Sequence, residues 1–358
     1  MKEIIRTLQP YVPEEPAQAV KSRLGVDRLV RLSANENPYG TSPEVREAIL
    51  SYVTYNDANY YPDGNATPLR TKLAEFWQVK PEQLVIGVGL DEVIAMVNKT
   101  MINEGDSVVV STPAFSEYAL NGLVEGAEIR EVPADFETGH YDFSSLVKAV
   151  DHTTRLVWIC NPNNPTGTYE AVEDIRRFVE NIPTDTLVII DEAYIDFVTS
   201  VAVPTARALL DEFPNVAIMR TFSKAYGLAN YRVGYMMAPV ELANYIQTIR
   251  LPYNLNTLSQ VAAEAALADQ EFLARTVSQN AAERDIWESL FDELRIHYYK
   301  SEANFIFFTV PDADGLADVW LSAGYQVRRG QRPNWLRLTI PAAQDGDRMR
   351  AILREYVA

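Results

Sequence analysis

The densest chemistry in this 358-residue sequence lies in Arg220-Thr-Phe-Ser-Lys-Ala-Tyr-Gly-Leu-Ala-Asn-Tyr-Arg-Val-Gly-Tyr235. Lys224 follows an apolar run and sits among small and aromatic residues. A lysine so placed can be desolvated, which lowers its pKa and frees the amine to form a Schiff base. Ser223 is adjacent and Arg232 lies eight residues on, so a hydroxyl and a guanidinium could hold a phosphate beside that amine. Taken alone, Ser-Lys reads as a surface lysine at a strand end, and it is the surrounding segments that shift the balance.

Three other segments extend this chemistry. Asn161-Pro-Asn-Asn-Pro-Thr-Gly167 follows the apolar run 155–160, and Asp191-Glu-Ala-Tyr194 closes the run 186–190. An acid closing a strand can serve as a helix cap. However, if the strands are parallel, their carboxyl ends form the edge where open α/β sheets bind ligands. Strands ending in Asn, Asp-x-x-Tyr and Ser-Lys would bring an amide, an acid, a phenol and an amine to that edge. Such a set can hold a pyridinium ring bearing a phenolate oxygen and an aldehyde carbon. In Gly87-Val-Gly-Leu-Asp-Glu-Val93, two glycines join a strand to a helix, whose first N–H groups can bind phosphate. Glu92 stands where a dinucleotide fingerprint needs its third glycine. Neither a P-loop nor a GxSxG elbow occurs.

The elements that would position these groups follow from hydrophobic period. Runs at 83–88, 107–111, 155–160, 186–190, 216–220 and 234–238 are short, apolar and bounded by Gly, Pro or Asn, as buried strands are. Helical segments alternate with them. Thr41 and Glu44 can form a capping box with Pro43 in the first turn, and Val45, Ala48, Ile49 and Tyr52 line one face. Thr67-Pro68 opens a second helix with the stripe Leu69, Leu73 and Phe76. This alternation predicts an α/β fold whose large domain, 31–255, holds a mostly parallel sheet covered by helices. From about 256 the pattern changes to helices at 258–269 and 271–294, a strand at 304–310, a helix at 313–323, and strands at 325–328 and 335–340. That predicts a smaller α+β domain, 256–358. Residues 1–30 read as an arm packing on the small domain or a partner subunit.

Composition narrows the partners. Thirty-two Lys and Arg against 49 Asp and Glu give a net charge of −17, which repels nucleic acid and anionic membranes. Any anionic ligand must be captured by a local cationic pocket. The single cysteine, Cys160, precludes an intramolecular disulfide framework. The three histidines stand at no ligand spacing, so no metal site is expected. The amino terminus lacks an uninterrupted apolar stretch and a small-residue cleavage site, and no run reaches the ~18 apolar residues of a membrane helix. A cytoplasmic location is expected.

Taken together, the motifs resemble those of the fold-type I pyridoxal-phosphate aminotransferases, and more closely those of the histidinol-phosphate aminotransferases. The blocks carrying the likeness run from Leu8-Gln-Pro-Tyr11 through Leu32-Ser-Ala-Asn-Glu-Asn-Pro-Tyr-Gly40, Tyr61-Pro-Asp63, 87–92, Pro113-Ala-Phe115, 161–167, 191–194 and 223–234 to Leu336-Arg-Leu-Thr339. The resemblance implies pyridoxal 5'-phosphate as cofactor and Lys224 as its Schiff-base lysine and proton carrier. Asp191 would face the ring nitrogen, Tyr194 and Asn164 the ring oxygen, and Phe115 the ring plane. The phosphate would rest on backbone at Leu90 and Asp91, on Ser223 and Arg232, and on Tyr61 contributed across a homodimer interface. Arg337 would bind the substrate anion with Asn35. Arg328 and Tyr11 would complete the substrate site, Tyr11 from the arm. The implied substrates are histidinol phosphate as amino donor and the 2-oxo acid 2-oxoglutarate. Ile340-Pro-Ala-Ala after the arginine strand and Asn230 depart from the family's common residues. Aromatic-amino-acid transaminases share nearly all these blocks, as does the pyridoxal-phosphate-dependent threonine-phosphate decarboxylase.

Overall fold

A strand apolar on both sides has to be covered on both faces, and the segment Thr154–Cys160 shows this most plainly, with all but one of its residues buried. The structure, a computed structural model, describes residues 3–8, 15–330 and 332–358. Among them are eleven strands. They are β1 (Val30–Leu32), β2 (Leu84–Val88), β3 (Ser107–Thr112), β4 (Glu128–Pro133), β5 (Thr154–Cys160), β6 (Leu187–Asp191), β7 (Val216–Thr221), β8 (Val233–Met237), β9 (Phe305–Thr309), β10 (Tyr325–Val327) and β11 (Trp335–Thr339).

Seven strands form one sheet in the order β2-β8-β7-β6-β5-β3-β4. Every pairing from β7 to β4 is parallel, while β8 runs antiparallel to both its neighbours. Side chains alternate between two apolar layers. Val157, Val188 and Ile218 face the layer holding Leu69, Leu73, Ile175 and Phe178. Leu156, Ile189 and Met219 face the layer of the helices Gly89–Met101 and Ser116–Glu125. Period-2 alternation carries on to the end of β5, so Cys160 falls on the second layer, where Tyr194 joins it from the turn after β6.

Beyond the sheet, the 25-residue helix Gln270–Leu294 runs from the second layer, at Leu273 and Val277, to a separate core built on Trp287, Phe291, Phe308 and Trp320. That core is roofed by the antiparallel pair β9 and β11 and by the helices Ala313–Ser322 and Ala343–Val357. β1 joins neither neighbour in sequence. It pairs in parallel with β10, so the chain leading to Ser33–Asn35 is hydrogen-bonded to carboxyl-terminal structure.

Two local expectations need correction. The helix Pro43–Tyr55 is capped by Ser42, whose hydroxyl accepts from Glu44 N at 3.1 Å, while Thr41 donates to the Gly227 carbonyl at 2.8 Å. In the helix Thr67–Trp77, Phe76 is exposed and Ala74 takes its place inside with Leu69 and Leu73. Phe76 sits seven residues past Leu69, at the trailing edge of the stripe. Its ring instead lies edge-on to Trp77.

Ser42 does more than cap one helix. It also donates at 2.5 Å to Asp269, whose other oxygen caps the helix Gln270–Leu294 through Phe272 N. One hydroxyl thus ties two helix starts 227 residues apart in sequence. Ser42→Ala should lower unfolding stability by about 1–2 kcal/mol, measurable as a drop in the urea midpoint with little change in slope.

Candidate active site

The parallel strands deliver their carboxyl ends to one edge, and the residues singled out by sequence cluster there. Lys224 stands just past β7. Its Nζ donates to the Ala34 carbonyl at 2.8 Å and lies 5.7 Å from the centroid of the Tyr194 ring. Burial, aided by repulsion from Arg337, lowers its pKa to about 8 even though Glu36 and Asp91 pull the other way.

Arg337 reaches the same place from β11. It is buried, with Nη1 donating to Asn164 Oδ1 and Nη2 to the Ser33 carbonyl, both at 2.6 Å. Consecutive carbonyls, Ser33 and Ala34, therefore hold the guanidinium and the amine. Asn35 follows with φ 56°, a left-handed conformation asparagine tolerates better than most residues. Its side chain donates to the Tyr194 hydroxyl at 3.1 Å, and Thr339 bonds both its amide N–H and its Oδ1. Asn304 Nδ2 restrains the same residue further, donating to the Asn35 carbonyl at 3.1 Å. The Tyr194 phenol is buried, which pushes its pKa up against the pull of Arg337.

Asp191 ends β6. One carboxylate oxygen accepts from the Tyr118 hydroxyl at 2.6 Å and the other from Ala193 N at 2.9 Å. Burial raises its pKa to about 6 in spite of those bonds. A cation set against it would reverse that shift, since an opposite charge favours the ionised form. Beneath the edge, buried Arg220 on β7 bonds Glu192 at 3.1 Å and also Asp196, with its guanidinium 4.5 Å from the Trp77 ring centroid. This ion cluster ties β7, which leads to Lys224, to the segment that follows Asp191 at the end of β6. Removing one member would strand a buried charge.

At the start of the helix Gly89–Met101, Gly89 has φ +75°, and a Cβ there would strike the Arg232 guanidinium. Gly234 lets β8 press against that turn, since a Cβ would lie 2.7 Å from Leu90 N. Two glycines thus keep the helix amino terminus open and close to Arg232. Arg232 donates to the Asp91 carboxylate at 2.7 Å and to the Ala229 carbonyl at 3.2 Å. Ser223, just past β7, is buried with its N–H on Thr221 Oγ1.

The structure therefore joins Lys224, Tyr194, Asn164, Asn35 and Arg337 in one network and sets Asp191, Leu90, Asp91, Ser223 and Arg232 on the same sheet edge. Phe115 is half-buried, its ring edge-on to Tyr118 with centroids 5.6 Å apart. Tyr61 is 81 % exposed and stacks on Tyr253 at 4.5 Å, with no hydrogen bond into the network. Arg328 meets Arg337 through reciprocal backbone bonds of 3.1 and 3.0 Å. Tyr11 lies outside the described residues. Sequence reading missed Tyr118, one helical turn past Phe115, and gave no role to the carbonyls of Ser33 and Ala34, which no side chain announces.

These groups fit pyridoxal phosphate. A buried carboxylate suits a protonated ring nitrogen, the Asn164 amide and Tyr194 phenol suit a ring oxygen, and an amine of lowered pKa suits an aldehyde. The glycine-lined helix start suits a phosphate. Among the described residues no group of three or more His, Cys, Asp or Glu could hold a metal ion, and no helix is long and apolar enough to cross a membrane.

Comparison with known proteins places the chain in a family. Residues 27–355 match the family model for aminotransferases of class I and II. The histidinol-phosphate aminotransferase of Limosilactobacillus fermentum is 52% identical over 357 residues, covering 100% of this chain and 99% of its own. That of Lactiplantibacillus plantarum is 48% identical, covering 100% of both chains. The crystal structure of histidinol-phosphate aminotransferase from Sinorhizobium meliloti in complex with pyridoxal-5'-phosphate superposes with a TM-score of 0.89 at 28% identity, covering 100% of this chain and 97% of the other.

The lowered pKa of Lys224 gives a direct check on the unliganded protein. An amine with pKa about 8 is mostly neutral above that pH, where ordinary lysines are still protonated. Competitive acylation read by mass spectrometry should show Lys224 half-maximally reactive near pH 8, well before the surface lysines respond.

Proposed function

The chain belongs to the class I and II aminotransferases and, within them, to the histidinol-phosphate aminotransferases, and we infer that it moves the amino group of histidinol phosphate to 2-oxoglutarate. The products are imidazole acetol phosphate and glutamate, and the reaction is a step of histidine biosynthesis. Pyridoxal phosphate is the cofactor. The observation that carries this reading is the pairing of Arg337 and Lys224 on successive carbonyls, which puts an anion-binding guanidinium beside an amine of lowered pKa.

Bound pyridoxal phosphate supplies the electron sink that receives the pair left when the substrate α-carbon loses its proton. The chain's own residues do the rest. Lys224 Nζ, mostly neutral above pH 8, would take the proton from one carbon and return it to another. Asp191 would hold a proton at the ring nitrogen. Tyr194 and Asn164 would hydrogen-bond the ring oxygen, and Phe115 would cover the ring. Leu90, Asp91, Ser223 and Arg232 would take the phosphate, with Asp91 contributing its backbone N–H. Its side chain already engages Arg232 at 2.7 Å, so that arginine is oriented before any ligand arrives.

Arg337 binds a planar anion through two N–H groups, a fork that accepts phosphate in one half-reaction and carboxylate in the other. Asn35 shares this anion, with Arg328 and Tyr11 at the outer end. The single guanidinium serving both substrates accords with a ping-pong order. The protein works as a homodimer, in which Tyr61 of the partner subunit completes the phosphate site. Exposed Tyr55, Tyr60, Tyr61 and Tyr253 support this, because aromatic rings left in water are enriched where subunits meet. Large and small domains divide near residue 255, and the enzyme resides in the cytoplasm.

Three measurements test these assignments. Lys224→Ala should abolish turnover and borohydride fixation of the cofactor while the pocket still binds pyridoxal phosphate. Arg337→Ala should weaken both anionic substrates by about 2–5 kcal/mol, seen as raised KM values, because a buried charged group loses its partner. In a panel of amino donors, histidinol phosphate should bleach the cofactor's visible band fastest. Faster bleaching by phenylalanine would make the protein an aromatic transaminase, and release of carbon dioxide would make it a decarboxylase.

A further inference from the structure

Asp191 is held by a side chain that no motif singled out. Tyr118 lies on the helix Ser116–Glu125, fully enclosed, with its hydroxyl donated at 2.6 Å to one oxygen of the carboxylate. Its ring is stacked on Trp158 of β5, centroids 4.6 Å apart and planes 8° from parallel. The same ring presents its edge region to Phe115, 83° from parallel. Because Trp158 is rooted in the sheet and Phe115 precedes the helix, Tyr118 has little freedom to rotate. Toward the carboxylate the hydroxyl is the donor: burial and the neighbouring Asp191 push its own pKa well up, so the phenol keeps its proton.

We propose that Tyr118 is a positioning residue for the acid, one whose hydroxyl fixes the rotamer and limits the basicity of Asp191 while its ring fixes Phe115. This rests on the pyridoxal-phosphate reading above and adds to it a residue that touches neither substrate nor reacting atom. A carboxylate with one oxygen on Tyr118 and the other on Ala193 N cannot turn, so its remaining lone pairs point in a fixed direction. Each donated bond withdraws electron density and makes the carboxylate a weaker base. A weaker base leaves the shared proton on the ring nitrogen, where it strengthens the electron sink. The other titratable groups around Asp191 are Cys160 on the neighbouring strand, Glu192 just past the end of its own strand and Asp91 at the helix start. The Cys160 thiol is pushed well up by burial and stays neutral, and Glu192 is neutralised by Arg220. Tyr118 is the group among them that donates to the carboxylate.

The experiment uses the full-length holoenzyme. Tyr118→Phe keeps the ring and removes the donor. The pH midpoint of the bound cofactor's visible absorbance should rise by about half a unit or more, and kcat should fall about tenfold with KM nearly constant, as loss of one charge-assisted bond implies. In an Asp191→Asn background the same change should no longer move the midpoint, which a merely structural role would not predict. If Tyr118→Phe folds poorly, a ring-fluorinated tyrosine at position 118 keeps the shape and strengthens the donor, and the midpoint should then fall. An unmoved midpoint with either replacement, or a kcat loss matched by the same loss in the Asp191→Asn background, overturns the proposal. A wild-type protein that forms no visible chromophore overturns the cofactor reading and this proposal with it, whereas a chromophore indifferent to position 118 overturns this proposal alone.

Discussion

Two cations share one buried edge of this protein, and burial, reinforced by the repulsion between them, sets its chemistry. Arg337 cannot lose its proton, so the burden of lowering the local charge falls on Lys224. The pair is tolerated because backbone oxygen neutralises part of each charge: Ser33 for the guanidinium, Ala34 for the amine. Every surrounding feature maintains that arrangement. Asn35 is locked by Thr339, Asn304 and Tyr194, which keeps the two carbonyls from swinging away. An anion arriving at Arg337 cancels the repulsion and makes the neighbouring amine a better base at the moment a substrate is present. Binding and proton affinity are thereby linked through one field.

The sheet explains why so many groups can meet without crowding. Parallel strands end on one side, and the turn after each strand can place a different functional group without disturbing its neighbour. β5, β6 and β7 carry the amide, the acid with the phenol, and the amine in adjacent lanes. The antiparallel β8 adds the glycine that lets the helix start approach. Below the edge, the Arg220 cluster fixes β7 against the loop after β6. The acid and the amine are therefore aligned by an ion network that neither of them joins.

Much of this was legible in the sequence, and the exceptions have physical causes. The central strands could be read to within a residue or two at their ends, because a strand covered on both faces must be a continuous apolar run. β4 escaped notice because it lies at the edge of the sheet, where Glu128, Arg130 and Glu131 break the run. The helix cap shifted from Thr41 to Ser42 because both hydroxyls precede Pro43 and only tertiary contacts with Gly227 and Asp269 tell them apart. In the site, Lys224, Tyr194, Asn164, Asn35 and Arg337 announce themselves by residue type. The carbonyls of Ser33 and Ala34 do not, since every residue has one. Tyr118 was readable only as one more aromatic of a buried helix face until its hydroxyl was seen on Asp191.

The short strand Val30–Leu32 leaves a mechanical legacy. It is zipped to Tyr325–Val327, and the carbonyl that holds the amine comes two residues after it. The acceptor for Lys224 therefore travels with the carboxyl-terminal elements, while the lysine itself is rooted in the seven-stranded sheet. Any swivel of one body against the other would stretch or slacken that 2.8 Å tether, together with the bonds from Asn35 to Tyr194 and from Arg337 to Asn164. The nucleophile would then be loosed or restrained according to the posture of the whole molecule.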